Sequence, residues 1–180
     1  MVATNEEYNG KQMIKFMVIG LPRSGTTWAA NWLTTEKSLC LHDPLNEYHY
    51  KELDSLDAGT RELGVSCTGL YLFPDFLNRH PARKVILHRP VGEIRASFKR
   101  NDMTVRMFKP ENLNKIEGMH VQWTDMFTRP EKIYSFLMRR SLDVLRHDQL
   151  KTFNIQADLN KIRRNGILLK ELIDDARSQP

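Results

Sequence analysis

Cysteine is scarce in this 180-residue chain, with only Cys40 and Cys67 present. Two residues at that separation exclude a disulfide scaffold and a paired zinc pattern, so both are expected as reduced thiols buried in or beside strands. No run of about 18 apolar residues occurs, which excludes an obvious membrane-spanning helix. The opening residues MVATNEEYNGKQ lack the basic, apolar and small-residue order of a secretory signal. A cytoplasmic location is the resulting expectation. His49, His80, His88, His120 and His147 show no metal-ligand spacing, and no metal site is expected. Repeats and low-complexity stretches are also missing. Acidic residues are the minority, 22 against 27 basic, for a net charge of +5. That balance favours an anionic partner without telling a nucleotide from nucleic acid or a membrane surface.

What is present is enough for one domain: 41% hydrophobic residues in a chain of this length can enclose a continuous core. Met13 to Ile19 is a short apolar run of β-formers that stops at Gly20, as a buried parallel strand does. Thr26 to Lys37 suits a helix with Trp28, Trp32 and Leu33 on one face. Leu39 to His42, Gly64 to Cys67 and Lys84 to His88 read as further strands, and Leu70 to Asn78 as helix. The alternation predicts an α/β fold in three layers, with a central parallel sheet of about four to five strands and helices on both faces. Ligands gather at the carboxyl ends of such strands. From Asn101 onward no convincing strand is predicted. Glu131 to His147 is expected as one long amphipathic helix and Asp158 to Ala176 as another. The organisation predicted is therefore a nucleotide-binding α/β core over 13–100 and a helical extension over 101–180.

The segment Gly20-Leu21-Pro22-Arg23-Ser24-Gly25-Thr26-Thr27 lies between a predicted strand and a predicted helix. That is the setting of a phosphate-cradling loop, in which glycines let the chain turn and the helix N-terminus adds partial positive charge. A lysine follows the second glycine in the usual ATPase pattern, whereas here Thr26 stands there and the cation is Arg23, inside the loop. No strand ends in an apolar run plus aspartate suited to magnesium, since Lys84 to Leu87 leads to His88-Arg89.

Pro22-Arg23-Ser24-Gly25-Thr26-Thr27-Trp28 resembles the 5'-phosphosulfate loop of sulfotransferases that use 3'-phosphoadenosine 5'-phosphosulfate (PAPS). The resemblance implies a P-loop-like nucleotide-binding fold. It gives Arg23 the bridging oxygen and departing phosphate, Ser24, Gly25, Thr26 and Thr27 the 5'-phosphate, and Trp28 a place against adenine or in the core. The family's 3'-phosphate motif, an arginine at a strand end and a serine eight residues later, is matched by Arg89 and Ser97. The family's glycine-rich C-terminal element is not recognisable, and Arg163-Arg164-Asn165-Gly166 is a weak substitute.

Sulfuryl transfer also needs a base for the acceptor's proton. Asp43, in His42-Asp43-Pro44 after the second predicted strand, resembles the family's acidic residue followed by proline. His42 competes, because imidazole titrates near neutrality, and Glu47 is a third candidate. Alternation along a strand implies that His42 and Asp43 face opposite ways. The implied acceptor is a small molecule or glycan, the implied product 3',5'-adenosine bisphosphate, and neither membrane nor nucleic acid is an expected partner. Competing readings are a P-loop kinase or nucleotide hydrolase, an inactive nucleotide binder, and a basic module that holds nucleic acid.

Overall fold

The computed structural model describes residues 13–102, 104 and 107–152. Five strands form one parallel sheet in the order β2-β3-β1-β4-β5. They are β1 (Phe16–Gly20), β2 (Ser38–His42), β3 (Glu62–Cys67), β4 (Arg83–His88) and β5 (Met119–Gln122). The helices are α1 (Thr26–Leu33), α2 (Pro74–Arg79), α3 (Val91–Arg100), α4 (Asp125–Thr128), α5 (Pro130–Met138) and α6 (Val144–Thr152). Short 3-10 turns at Pro44–Asn46, Tyr50–Ser55, Leu70–Leu72 and Pro110–Lys115 complete the described chain.

Period-two alternation sorts the central strands between two cores. Met17 and Ile19 of β1, Val65 and Cys67 of β3 and Ile86 of β4 pack with Leu70, Leu77 and Ile94 on one face. Phe16 and Val18 of β1 and Val85 and Leu87 of β4 pack on the other with Trp28, Trp32, Leu33, Ile133 and Leu137. Each such side chain contributes roughly 1.5–3 kcal/mol of burial free energy before chain entropy is subtracted. The result is the expected three-layer α/β architecture. Cys40 and Cys67 are buried free thiols on β2 and β3. Among the described residues no helix is long and apolar enough to cross a membrane.

The chain departs from expectation in three ways, two of them after Asn101. Met119–Gln122 is a strand, paired parallel with β4 through Val85↔Met119 to His88↔Gln122, so the region after Asn101 is not wholly helical. Its four residues alternate between half-buried Met119 and Val121 and exposed His120 and Gln122, a pattern too short to stand out in the sequence. The long helix over 131–147 is instead two, because Arg139 adopts φ 51° and closes α5 in the left-handed conformation. Leu70 to Asn78 likewise divides into a 3-10 turn and α2, which starts at Pro74. The helix expected over 158–176 and the Arg163–Gly166 stretch lie outside the described residues.

Candidate functional site

β1 is the middle strand, flanked by β3 and β4, so its last residue Gly20 opens at the centre of the sheet's carboxyl edge. The chain then turns sharply into α1. Arg23 and Gly25 adopt φ 69° and φ 88°, either side of Ser24. A left-handed arginine costs about 1–3 kcal/mol, strain of a kind that clusters at ligand sites. Glycine at 25 also relieves a contact, since a Cβ there lies 2.9 Å from Met126 Cε. Tight turns of this sort gather backbone N–H groups into an anion-binding concavity, and the start of α1 adds its dipole. Ser24 is fully buried, and its Oγ has no hydrogen-bond partner among the described residues. Thr26 and Thr27 are buried beside it.

The second predicted anion site adjoins the first. β4 pairs with β1 up to Gly20↔Leu87, which brings Arg89, just past the strand's end, alongside the loop. Arg89 Nη1 donates to the Arg23 carbonyl at 2.6 Å, and Arg89 Nε donates to Glu93 Oε2 at 3.0 Å. Arg23 Nε donates to Ser97 Oγ at 2.9 Å, and Ser97 is buried in the second turn of α3. The guanidinium of Arg89 lies 4.4 Å above the centre of the Trp123 ring. Partial burial, then the charges of Arg89 and Arg100, draw the Arg23 guanidinium below its ordinary value. Cations repelling one another in this way favour an anion between or beside them.

At the other flank, β2 ends at His42, opposite Ser66 of β3. Asp43 then takes φ 45°, which breaks the strand's alternation. His42 and Asp43 therefore meet instead of facing opposite ways, with Nε2 3.4 Å from Oδ2. His42 Nε2 also lies 3.0 Å from Thr27 Oγ1, which ties this pair to the loop. The Asp43 carboxylate accepts from Thr68 N at 2.5 Å and from Thr68 Oγ1 at 3.1 Å. Burial, reinforced by the Asp43 charge, pushes the nearby Cys67 thiol up to about 12, leaving it inert as a nucleophile. Glu47 lies exposed past the 3-10 turn that follows Asp43.

Arg23, Ser24, Gly25, Thr26, Thr27, Arg89 and Ser97 thus converge, with His42 and Asp43 joined through Thr27. Trp28 stands apart. It is 7% exposed, and its neighbours are Trp32 at 5.3 Å, Phe127 at 4.7 Å and His147 at 5.5 Å between ring centres. Its place is the core beneath the loop. Three contributors were not anticipated. Glu93 was legible as the i+4 partner of Arg89, Thr68 required the β2–β3 register, and Trp123 required a strand after Asn101, where none was expected. No protein-family model matches the chain, and comparison with curated proteins and with solved structures likewise finds no match.

Proposed function

We propose that the chain is a PAPS-dependent sulfotransferase acting on a hydroxyl or amine of a small-molecule or glycan acceptor. One observation carries the reading: the Arg23–Ser97 hydrogen bond of 2.9 Å joins two motifs 74 residues apart in the sequence. A nucleotide phosphorylated at both 5' and 3' positions needs such paired anion sites, whereas ATP does not. The residues fit that ligand through the clustered Arg23 and Arg89, the orphaned Ser24 hydroxyl and the strained glycine turn.

PAPS supplies an activated sulfuryl group whose bond to the bridging oxygen breaks as the acceptor bonds to sulfur. Arg23 is placed to stabilise the charge that develops on the departing phosphate, the kind of electrostatic assistance that contributes most in a water-poor site. The His42–Asp43 pair takes the acceptor's proton, with Thr68 holding the carboxylate and Thr27 the imidazole. Ser24 to Thr27 and the start of α1 hold the 5'-phosphate, and Arg89 with Ser97 holds the 3'-phosphate.

The test is a thermal-shift titration with 3',5'-adenosine bisphosphate, 5'-AMP and ATP, each with and without magnesium. Ligand at a hundredfold excess over Kd stabilises the native state by about 2.7 kcal/mol. The bisphosphate is expected to raise the melting temperature by several degrees without metal, and transfer from PAPS to an acceptor panel should follow. A response confined to ATP with magnesium would instead favour the kinase or hydrolase reading.

A further inference from the structure

We infer that Trp123 is a positioning residue of the 3'-phosphate site, holding the Arg89 guanidinium flat so that its unused donors face the ligand. The inference rests on the reading of Arg89 given above and extends it to a residue outside both motifs. A guanidinium has five N–H donors in one plane. Among the described residues, Arg89 uses Nε for Glu93 and one Nη1 hydrogen for the Arg23 carbonyl, which leaves three. Two in-plane hydrogen bonds restrain the fork along its edge, and the indole beneath restrains its tilt. The 4.4 Å separation is well inside the range of cation–π attraction.

The platform is itself anchored. Trp123 N donates to the His88 carbonyl at 2.9 Å, so the residue that precedes Arg89 fixes the backbone beneath its side chain. The Trp123 ring meets Phe127 at 5.8 Å, and Phe127 meets Trp28 at 4.7 Å. A row of aromatic rings therefore runs from the helix that follows the loop to the cation at the neighbouring strand end. Trp123 and Arg89 are both half-buried, so their contact is partly shielded from water.

The experiment measures calorimetric affinities of 3',5'-adenosine bisphosphate and 5'-AMP for the full chain and for Trp123→Ala, Trp123→Leu and Trp123→Phe. Trp123→Ala and Trp123→Leu are expected to weaken the bisphosphate about tenfold, an effect within the range of a lost cation–π contact, while 5'-AMP changes less than about twofold. Trp123→Phe should restore most of the affinity, because a π-face remains. Trp123→Leu preserves apolar bulk and decides the matter should the alanine variant fold poorly. Bisphosphate binding should also change tryptophan emission in the wild-type chain and much less in Trp123→Phe. Equal weakening of both nucleotides, or no weakening, would overturn the role of Trp123 while leaving the sulfotransferase reading intact. Failure of the wild-type chain to bind the bisphosphate would overturn both.

Discussion

The two ends of the sheet hold polar clusters of opposite character. At the amino end, Asp54 accepts from Ile14 N and pairs with His80 Nε2, with both oxygens 3.0 Å from the ring nitrogen. His80 Nδ1 accepts from Ala82 N, which leaves Nε2 as the donor to Asp54. Buried Lys84 donates to the carbonyls of His80 and Ala82 at 2.6 and 3.0 Å. Donors and acceptors there answer one another. At the carboxyl end, Arg23, Arg89 and Arg100 repel, the buried Ser24 hydroxyl has no partner among the described residues, and the backbone is strained at Arg23 and Asp43. Buried polar groups whose partners come from the chain serve stability, whereas like charges and an orphaned hydroxyl in a strained turn mark a place for a ligand.

Four perturbations separate the two ends. The largest effect is expected from Arg23→Ala, which should lower sulfuryl transfer by about 10²–10³-fold or to background with the fold retained, measured by turnover alongside circular dichroism. Unchanged turnover would end the enzyme reading. Next, His42→Ala and Asp43→Asn should each cost about 10²-fold in kcat, with the double variant no worse than the poorer single, because the two act as one unit. Full additivity in a kinetic cycle would show instead that they act separately.

At the opposite end, Lys84→Met should destabilise the chain by about 1–3 kcal/mol in urea unfolding, since two buried carbonyls lose their donor. Affinity for 3',5'-adenosine bisphosphate should be unaffected, and a parallel loss of binding would erase the distinction between the ends. The smallest effect concerns pH. Burial, then the neighbouring His120, holds His88 below its ordinary 6.5. The unfolded chain thus binds that proton first, so stability should fall as pH drops from about 6.5, and His88→Gln should flatten melting temperature between pH 7.5 and 5.5. Asp54 acts in a lower window. Burial alone would raise its value, but the hydrogen bonds from His80 and Ile14 outweigh that and hold it below 3.8. Its contribution is present at neutral pH and lost only as acid takes the pH down through that folded value.

Much of the candidate site was legible because local chemistry specifies it. Gly20 and Gly25 bracket a strand-to-helix turn, apolar runs mark β1, β3 and β4, and Arg89 and Ser97 keep a fixed helical spacing. The relation between His42 and Asp43 was misjudged, since period-two alternation holds only while φ stays negative. Trp123 was missed because β5 presents only two half-buried side chains. Arg146 was missed for a similar reason. From α6, its Nη1 donates to the Trp32 carbonyl at 2.6 Å and its Nη2 to those of Asn31 and Thr34 at 2.8 and 2.6 Å, capping α1 from 112 to 115 residues away.

Local sequence pattern specifies the layered parallel architecture, the buried thiols and the position of the loop, because periodicity, glycine placement and burial act over a few residues. Tertiary structure alone decided that the two arginine motifs touch, that His42 meets Asp43, and that an indole lies beneath Arg89. Those contacts depend on strand order and register, which bring distant residues together at one edge of the sheet and which no local pattern encodes.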